Sequence, residues 1–412
     1  MSAVFEFDDE ALRRNSVDSL KHDDAADIPA EVDESGYSSE IDAAEPTPIP
    51  ADERLYEVAL GKNYISSSVK DSSAPAKRIC IDDFEILKLL GRGAYGKVML
   101  CRHKQSQQLY AMKVLKKASL FVHAKNAEHT KAERQILEEV RHPFIVQLMY
   151  AFQTQDRLYL ILQYAVGGEL FTQMAAEQMF SENAARFYIA ELVLALEHLH
   201  KLGIVYRDLK PENCMLDADG HILLTDFGLS KVALDGKANT LCGTAEYMAP
   251  EVLMGMHYDK SVDWWTLGIL MYEMLTGSTP FRSSNKAKTF QAIKQKKLHV
   301  PYYLSSDASN LLHQLLRKNP NSRLGSTEDG SERVKSHRWF RKIDWDSVLK
   351  RQMTPPIIPV VTDPALAENF DEQFTKEEIK ETPVEGSVDP TMMREYFENF
   401  SYVAQSHLST LK

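Results

Sequence analysis

The chain has 412 residues, 44% of them hydrophobic and 26% charged, which is typical of a soluble globular protein with more than one core. No apolar run approaches membrane-spanning length and the N-terminus lacks the apolar segment of a signal peptide, so we expect no membrane insertion. The net charge of −11 comes mostly from residues 1–80, which hold 18 acidic and 8 basic residues, and nothing predicts the basic face that nucleic-acid binding needs.

Residues 1–80 are rich in Asp, Glu, Ser, Ala and Pro and contain few aromatic residues. Such a segment buries too little apolar surface to offset the entropy lost on ordering. The sequence therefore predicts a disordered acidic arm.

Short strand-like runs begin at residue 84 and predict strands at 84–90, 97–102 and 109–115. "AEHTKAERQILEEV" then places Ala132, Ile136, Leu137 and Val140 on one helical face. "FIVQLMYAFQT", opening after Pro143, and "RLYLILQYA" predict two more strands. These elements indicate a small sheet with one helix.

Beyond residue 170 the pattern is mostly helical. "ENAARFYIAELVLALEHLHKLG" is apolar around most of its circumference, which predicts a buried helix ending at Gly203. "SVDWWTLGILMYEMLTG" is similar and ends at Gly277. Regular patterning fades from residue 341, which predicts a tail at 341–412.

The stretch "GRGAYGKV", 91–98, has the pattern GxGxxGxV between two predicted strands. Glycines let a backbone approach phosphate oxygens closely and offer N–H groups to them. A tight hairpin without ligand is the alternative. A dinucleotide fold would need a helix next, and a strand follows instead.

Lys113 lies within the apolar run "YAMKVL", where an unpaired buried charge is costly. A surface lysine with a partly buried stem is the alternative. Glu133 on the following helix is a candidate partner, and spacing alone leaves Glu138 and Glu139 as rivals.

The stretch "GIVYRDLKPENCMLDADGHILLTDFG", 203–228, groups four polar side chains too closely for a plain core: Asp208, Lys210, Asn213 and Asp226. "YRDLKPEN" and "TDFG" resemble the catalytic and metal-binding loops of eukaryotic protein kinases, and "GRGAYGKV", "AMKVL" and "MAPE" follow that family's order. The resemblance covers residues 84–340 and implies an α+β, bilobal protein kinase fold: a small β-rich lobe, a larger helical lobe and a C-terminal tail.

By this resemblance Asp208 is the base or orienting group for the substrate hydroxyl, and Lys210 neutralises charge on the moving phosphoryl group. Asn213 and Asp226 would hold Mg²⁺, and Lys113, braced by Glu133, would position the ATP phosphates. The ATP-binding residues it implies are Gly91, Arg92, Gly93, Ala94, Tyr95, Gly96, Lys97, Val98, Ala111, Lys113, Glu133, Leu162, Gln163, Ala165, Glu169 and Phe370. Tyr206 replaces the more usual His, and some family members carry Tyr there.

"TLCGTAEYMAPE", "VDWW", "NPNSRLG" and "FENFSY" resemble the AGC group of serine/threonine kinases, and longer stretches are most similar to its single-kinase-domain ribosomal protein S6 kinases. The resemblance implies that Arg323 braces Glu251 and that "FDEQF" crosses the ATP site with Phe370 near the adenine. It implies three phosphosites, Thr240, Thr382 and Ser401, with Ser387 as a rival to Thr382. The substrate-binding residues it implies are Glu169, Glu212, Thr244 and Glu273.

The implied substrates are proteins with Arg-rich motifs, including a small ribosomal-subunit protein. The alternative identity of the chain is a protein-kinase-B-like or serum-responsive AGC kinase. The implied upstream partners are a phosphoinositide-dependent-type kinase and the target-of-rapamycin complex, which "VFEFDDE" near the N-terminus would recruit; a chance pair of phenylalanines is the other interpretation. A catalytically silent scaffold and a small-molecule phosphotransferase are hypotheses from other classes. Four cysteines without paired spacing indicate a reducing compartment, so we expect a cytoplasmic monomer that also enters the nucleus.

Overall fold

The computed structural model describes the chain at residues 79–93, 96–121, 124–232, 244–327, 329–378 and 396–404. All of them lie in the second of two units, Pro75–Lys412. The predicted acidic arm lies outside the described residues except for residues 79 and 80. Ile79 packs against a hydrophobic cluster of the small sheet.

In the described part of the small lobe, one antiparallel sheet has six strands and two helices accompany it, one more than the sequence predicted. The bounds are β1 Phe84–Gly93, β2 Gly96–His103, β3 Leu109–Lys116, α1 Lys117–Phe121, α2 Ala124–Glu139, β4 Leu148–Gln153, β5 Arg157–Gln163 and, from the tail, β11 Tyr402–Val403. The strands lie in the order β1-β2-β3-β5-β4-β11.

The period-2 alternation of β3 decides which side chains point towards α2. Tyr110, Met112 and Val114 join a cluster on one face of the sheet. Leu115 belongs to the other cluster, together with Ile136 of α2. Lys113 shares the face of Leu115 because alternate residues of a strand share a face, and this turns its side chain towards α2.

The predicted start of the strand after Pro143 was wrong, because β4 begins only at Leu148. Phe144, Ile145 and Val146 are buried but lie outside β4, and Ile145 forms an isolated parallel bridge with Leu224. The amide of Leu224 donates to the carbonyl oxygen of Phe144 at 2.9 Å, and the amide of Val146 donates to that of Leu224 at 3.0 Å. The apolar character of this run therefore reflects contact with the large lobe.

Two long helices form the centre of the large lobe, α4 Glu182–Lys201 and α6 Ser261–Thr276. The hydroxyl of Ser181 accepts a hydrogen bond from the amide of Ala184, which caps α4. α6 ends where Gly277 adopts a left-handed conformation with φ 75°. Both helices have buried residues on all sides. This agrees with the burial predicted from their apolar residues, which occupy most of the circumference of each helix.

The remaining elements are short. They are β6 Gly168–Glu169, α3 Leu170–Glu177, β7 Ile204–Val205, β8 Cys214–Leu216, β9 Ile222–Leu224, β10 Lys231–Val232, α5 Pro250–Leu253, α7 Lys286–Gln295, α8 Ser306–Leu315, α9 Gly330–Lys335, α10 Trp345–Leu349 and α11 Glu372–Thr375. β6, β8 and β9 form one small sheet, and β7 and β10 form another. The predicted α+β fold of a β-rich and a helical lobe is confirmed. Within the described part of the chain, no helix is long and apolar enough to cross a membrane.

Candidate active site

Lys113 lies in the middle of β3, between Val98 of β2 and Leu160 of β5. Its Nζ is 2.7 Å from Oε1 of Glu133, whose side chain is almost fully buried. Glu138 instead pairs with Arg134 on the same helix. The structure thus selects Glu133 from the three candidate partners.

Asp226 lies on the other side of the same lysine. Its Oδ1 is 3.2 Å from Nζ of Lys113 and also accepts a hydrogen bond from the amide of Gly228 at 3.3 Å. The charge of Lys113 lowers the pKa of Asp226. Burial lowers the pKa of Lys113, but the carboxylates of Asp226 and Glu133 outweigh that effect and the pKa is raised overall. A lysinium and a carboxylate are therefore held together at neutral pH.

Asp226 also has an unusual backbone, with φ 55°. Non-glycine residues seldom adopt this left-handed conformation, and where they do the surrounding structure must enforce it. The conformation places the carboxylate between Lys113 and the loop that precedes β8.

That loop brings Asp208, Lys210 and Asn213 together. Nζ of Lys210 is 2.9 Å from Oδ2 of Asp208, and Nδ2 of Asn213 donates to the same oxygen at 2.8 Å and to the backbone oxygen of Asp208 at 2.7 Å. Burial raises the pKa of the Asp208 carboxyl, and Lys210 opposes that rise. The charge of Asp226 acts on Asp208 as well, so the two carboxylates face one site.

Tyr206 anchors the start of this loop. Its ring packs edge-on against Phe227, with centroids 5.2 Å apart, and its hydroxyl donates to the backbone oxygen of Thr225. The hydroxyl of Ser230 donates to the backbone oxygen of Tyr206 at 3.1 Å. Tyr206 therefore ties the loop carrying Asp208 to the segment carrying Asp226.

Strand β2 begins at Gly96 and pairs with β3 beside Lys113, in the region of the predicted ATP-binding residues, which we call the cleft. A Cβ atom on Gly96 would lie 1.9 Å from the backbone oxygen of Val114, so only glycine fits there. Gly91 and Gly93 have no such neighbour within 4 Å. Ala94 and Tyr95 lie outside the described residues. Further predicted ATP-binding residues lie in β1, β2, β3, β5 and the segment after β5. The structure describes Gly91, Arg92, Gly93, Gly96, Lys97, Val98, Ala111, Leu162, Gln163 and Ala165.

Two protein families match the chain. The protein kinase domain matches residues 84–340, and the protein kinase C terminal domain matches residues 361–402. The first match takes in the β1–β2 turn, Lys113 and the loops of Asp208 and Asp226.

The chain belongs to the protein kinase family.

A kinase domain followed by this C-terminal domain is the arrangement of the AGC group, and three similar proteins are ribosomal protein S6 kinases. Ribosomal protein S6 kinase beta of Caenorhabditis elegans is 42% identical over all of this chain and 75% of its own length. Ribosomal protein S6 kinase 2 alpha of Xenopus laevis is 48% identical over 84% of this chain and 47% of its own length. Ribosomal protein S6 kinase alpha-1 of Homo sapiens is 50% identical over 78% of this chain and 44% of its own length.

The chain spans about half the length of the Xenopus laevis and Homo sapiens relatives. It is nonetheless an S6-kinase-like member of the AGC group, and its active site is that of an ATP-dependent protein serine/threonine kinase domain.

Kinases of this family use ATP with a divalent metal ion, and the residues present fit one. Asn213 bonds Asp208 through its side-chain nitrogen, which leaves the side-chain oxygen to offer to a cation. The carboxylate of Asp226 is 50% exposed. Among the described residues no cluster of three or more His, Cys, Asp or Glu could hold a metal alone. Hard divalent cations in kinase sites take further ligands from phosphates and water.

Acidic side chains gather at the kinase's large-lobe rim. Burial raises the pKa of Glu169 to about 6, and the charges of Glu212 and Asp371 contribute to the rise. Burial also raises the pKa of Glu273, which accepts a hydrogen bond from the hydroxyl of Tyr247 and is influenced by Glu212. Glu212 is thus within electrostatic reach of both Glu169 and Glu273, residues far apart in sequence.

The kinase tail crosses beside the cleft at Phe370. Its ring stacks on Tyr164 with centroids 5.7 Å apart and packs against a buried cluster of Leu90 and Leu100, to which Ala111 also contributes. Phe370 therefore lies near the predicted adenine end of the cleft.

The end of the tail packs on the small lobe. Phe397 and Phe400 are buried, and their carbonyl oxygens accept hydrogen bonds from Gln153 Nε2 at 2.6 Å and Arg134 Nε at 3.1 Å. Both rings lie beside α2, the helix that carries Glu133. Ser401 is exposed, and its carbonyl oxygen accepts from Arg134 Nη2 at 3.3 Å.

The predicted phosphosites Thr240 and Thr382, and the rival Ser387, lie outside the described residues. Thr244 is described, lines a small cavity with Arg207 and Asp208, and accepts a backbone hydrogen bond from Tyr247 at 2.9 Å.

Sequence reasoning gave no role to Asp263, which is fully buried in α6. Its carboxylate accepts hydrogen bonds from the backbone amides of Tyr206 at 2.9 Å and Arg207 at 2.8 Å, and Nε2 of His200 lies 2.8 Å away. Asp263 therefore holds the catalytic loop on the large-lobe core. A carboxylate beside two tryptophans on an apolar helix was the available signal, because a buried charge needs partners.

Proposed function

We propose that the whole protein transfers the γ-phosphoryl group of ATP to serine and threonine hydroxyls of protein substrates. The observation that carries the proposal is the joint placement of Lys113 and Asp226, 3.2 Å apart, opposite Asp208 and Lys210, 2.9 Å apart. Phosphoryl transfer depends mostly on positioning and charge stabilisation, and these four side chains supply both.

Asp208 orients the attacking hydroxyl and accepts its proton. Burial raises the pKa of its carboxyl, which favours uptake of that proton. Lys210, fixed on the same carboxylate, is within reach of the negative charge on the group in transfer. Lys113 binds the non-transferred phosphates and is kept in place by Glu133. Mg²⁺, held by Asn213 and Asp226, would neutralise the phosphate charge.

The direct test is transfer of phosphate to a library of serine and threonine peptides by purified full-length protein, with the sites identified by mass spectrometry. Phosphate on peptide hydroxyls supports the proposal. Absence of transfer with ATP and Mg²⁺, from protein phosphorylated in cells, would favour the silent scaffold instead.

We infer a preference for arginines on the N-terminal side of the phosphorylated residue. The support is the acidic rim formed by Glu169, Glu212 and Glu273, since carboxylates pair with guanidinium groups in two-pronged geometry. Glu212→Gln should weaken selection for arginine in a positional peptide array. Glu177→Gln, an exposed change on α3, is the matched control and should leave the array unchanged. A proline-directed or acidic preference would contradict the inference.

The upstream partners we propose are a phosphoinositide-dependent-type kinase acting on Thr240 and the target-of-rapamycin complex acting on Ser401, with translation and growth as the output. Support comes from the motifs around these residues and from "FEFDD" near the N-terminus. Phe5→Ala should reduce Ser401 phosphorylation in cells without changing thermal stability. Unchanged phosphorylation would remove the docking role, and lower stability would show that the arm packs on the fold.

We also propose a cytoplasmic monomer that enters the nucleus, on the basis of its cysteine usage and composition. Imaging of the tagged full-length chain tests the location, and light scattering of the purified protein tests the monomer. Localisation to a secretory compartment, or a stable dimer, would contradict these two proposals.

A further inference from the structure

Three glycines of the large lobe contact the tail so closely that none has room for a side chain. A Cβ atom on Gly168 would lie 2.1 Å from the backbone oxygen of Asn369, and one on Gly220 would lie 1.9 Å from that of Ile357. On Gly167 it would lie 2.6 Å from Cγ of Pro359. Real Cβ atoms do not show these distances, so a side chain on Gly168 or Gly220 would displace the tail backbone. On Gly167 it would also meet the backbone oxygen of Asp217 in the large lobe, at 2.7 Å. We call Gly167, Gly168 and Gly220 the glycine track.

Polar contacts hold the tail on this track. Nδ2 of Asn369 donates to the backbone oxygens of Val166 at 3.2 Å and Val360 at 3.1 Å. The hydroxyl of Tyr164 donates to the backbone oxygen of Pro364 at 3.3 Å. The tail is therefore attached to the segment after β5, which borders the nucleotide cleft.

The track lies next to the residue that it would position. Asn369, whose backbone rests on Gly168, directly precedes Phe370, whose ring stacks on Tyr164 beside the cleft. Ala367, two residues before Asn369, is buried with Leu90 of β1. With the chain packed at Ala367, a displacement at Asn369 is passed to its two neighbours, of which Phe370 lies beside the cleft.

Backbone conformation alone does not account for the track. Gly168 has φ 75° and Gly220 has φ 91°, which favour glycine by themselves. Gly167 has no such φ, and the space for a Cβ there is closed both by Pro359 of the tail and by Leu216 and Asp217 of the large lobe, so the tail contact is tested at Gly168. Gly203 has φ 74°, and a Cβ atom added there would have nothing within 4 Å, so it has the backbone of Gly168 without the tail contact.

We propose that the glycine track seats the tail backbone and thereby sets the position of Phe370 against bound ATP. Its glycines are positioning residues that act through the tail and do not touch the reacting atoms. The inference rests on the proposed function, since it takes the cleft to be the ATP site.

The test compares full-length wild type, Gly168→Ala, Gly203→Ala and Asn369→Ala, with kcat and KM for ATP on an arginine-containing peptide and the melting temperature of each. Gly168→Ala should raise KM for ATP about tenfold, which corresponds to a loss of ~1.4 kcal/mol of binding free energy, with a smaller change in kcat. Gly203→Ala carries the same backbone cost and should lower the melting temperature while leaving KM for ATP at the wild-type value. Asn369→Ala should raise KM for ATP as well.

A Gly168→Ala protein with the KM for ATP of Gly203→Ala would overturn the inference while leaving the kinase activity established. If Gly168→Ala fails to fold, Asn369→Ala decides: a raised KM supports the track, and a wild-type KM overturns it. A wild-type protein that neither binds ATP nor phosphorylates peptide would overturn the proposed function, and with it the role of the track. That outcome is distinguishable from failure of the track alone, in which wild type remains active.

Discussion

Arg134 of α2 donates a hydrogen bond from Nε to the carbonyl oxygen of Phe400, 3.1 Å away in the tail. The preceding residue, Glu133, bonds Lys113 at 2.7 Å. One helix is thus held by the tail through Arg134 and holds Lys113 through Glu133. Tail docking and the Lys113–Glu133 pair are therefore expected to depend on each other.

Loss of the tail rings should lower activity without touching the catalytic residues. Phe397→Ala/Phe400→Ala, with Thr240 phosphorylated, removes two buried rings, each of which contributes ~3–5 kcal/mol of packing. We expect kcat/KM to fall at least about tenfold, which corresponds to only ~1.4 kcal/mol. Ser401→Ala should also reduce it, since a phosphate there adds charge beside Arg134. Phe171→Ala, at an exposed ring, is the control. Equal activity of wild type, Ser401→Ala and the double variant would refute the dependence of activity on tail docking.

Lys113→Met and Asp208→Asn should each abolish phosphotransfer while the far-UV circular dichroism spectrum stays that of the wild type. The first loses the cation that positions phosphate, and the second loses the acceptor for the hydroxyl proton. Lys288→Met, an exposed change on α7, should retain full activity. Near wild-type turnover by either active-site variant would show that the site is assigned wrongly.

Arg323→Met should destabilise the large lobe severely. Arg323 and Glu251 are fully buried and joined by two hydrogen bonds of 2.6 and 2.8 Å. Removing one partner leaves the other charge buried, which typically costs ~3–5 kcal/mol. The free energy of unfolding from urea titration measures this. Arg341→Met breaks a largely exposed contact with Asp307 and should cost ~0–1 kcal/mol. Similar losses for the two variants would contradict the expected importance of burial.

Recognition of arginine should weaken as the pH falls through about 6, the pKa of Glu169. Above that pH its carboxylate is charged and attracts a guanidinium; below it the carboxyl is neutral, while arginine stays protonated throughout. KM for an arginine-containing peptide should therefore rise as the pH is lowered from roughly 7.5 to roughly 5.5, a window that brackets this pKa. Glu169→Gln should raise KM at neutral pH and flatten the profile. A variant profile as steep as that of the wild type would assign the titration to another group.

The sequence was sufficient where chemistry or periodicity is local. Asp208, Lys210, Asn213 and Asp226 all lie on one short stretch of sequence. The alternation of side chains along β3 places Lys113 on the face that points towards α2. Local patterns failed where an apolar run had two possible partners. Residues 144–146 looked like the start of β4, but they pair with Leu224 of the large lobe. Burial is visible in a sequence, whereas the identity of the covering surface is not.

By itself the sequence determined the family, the lobes and the residue types of the site, because phosphate chemistry needs those groups in that order. Only the tertiary structure decided that Glu133 pairs with Lys113, that Asp263 holds the catalytic loop and that Tyr402 and Val403 add a strand to the small sheet. It also brought Gly168 against Asn369. Each of these contacts joins segments far apart in the chain, and their geometry is set by the packing of whole lobes, which no local spacing encodes.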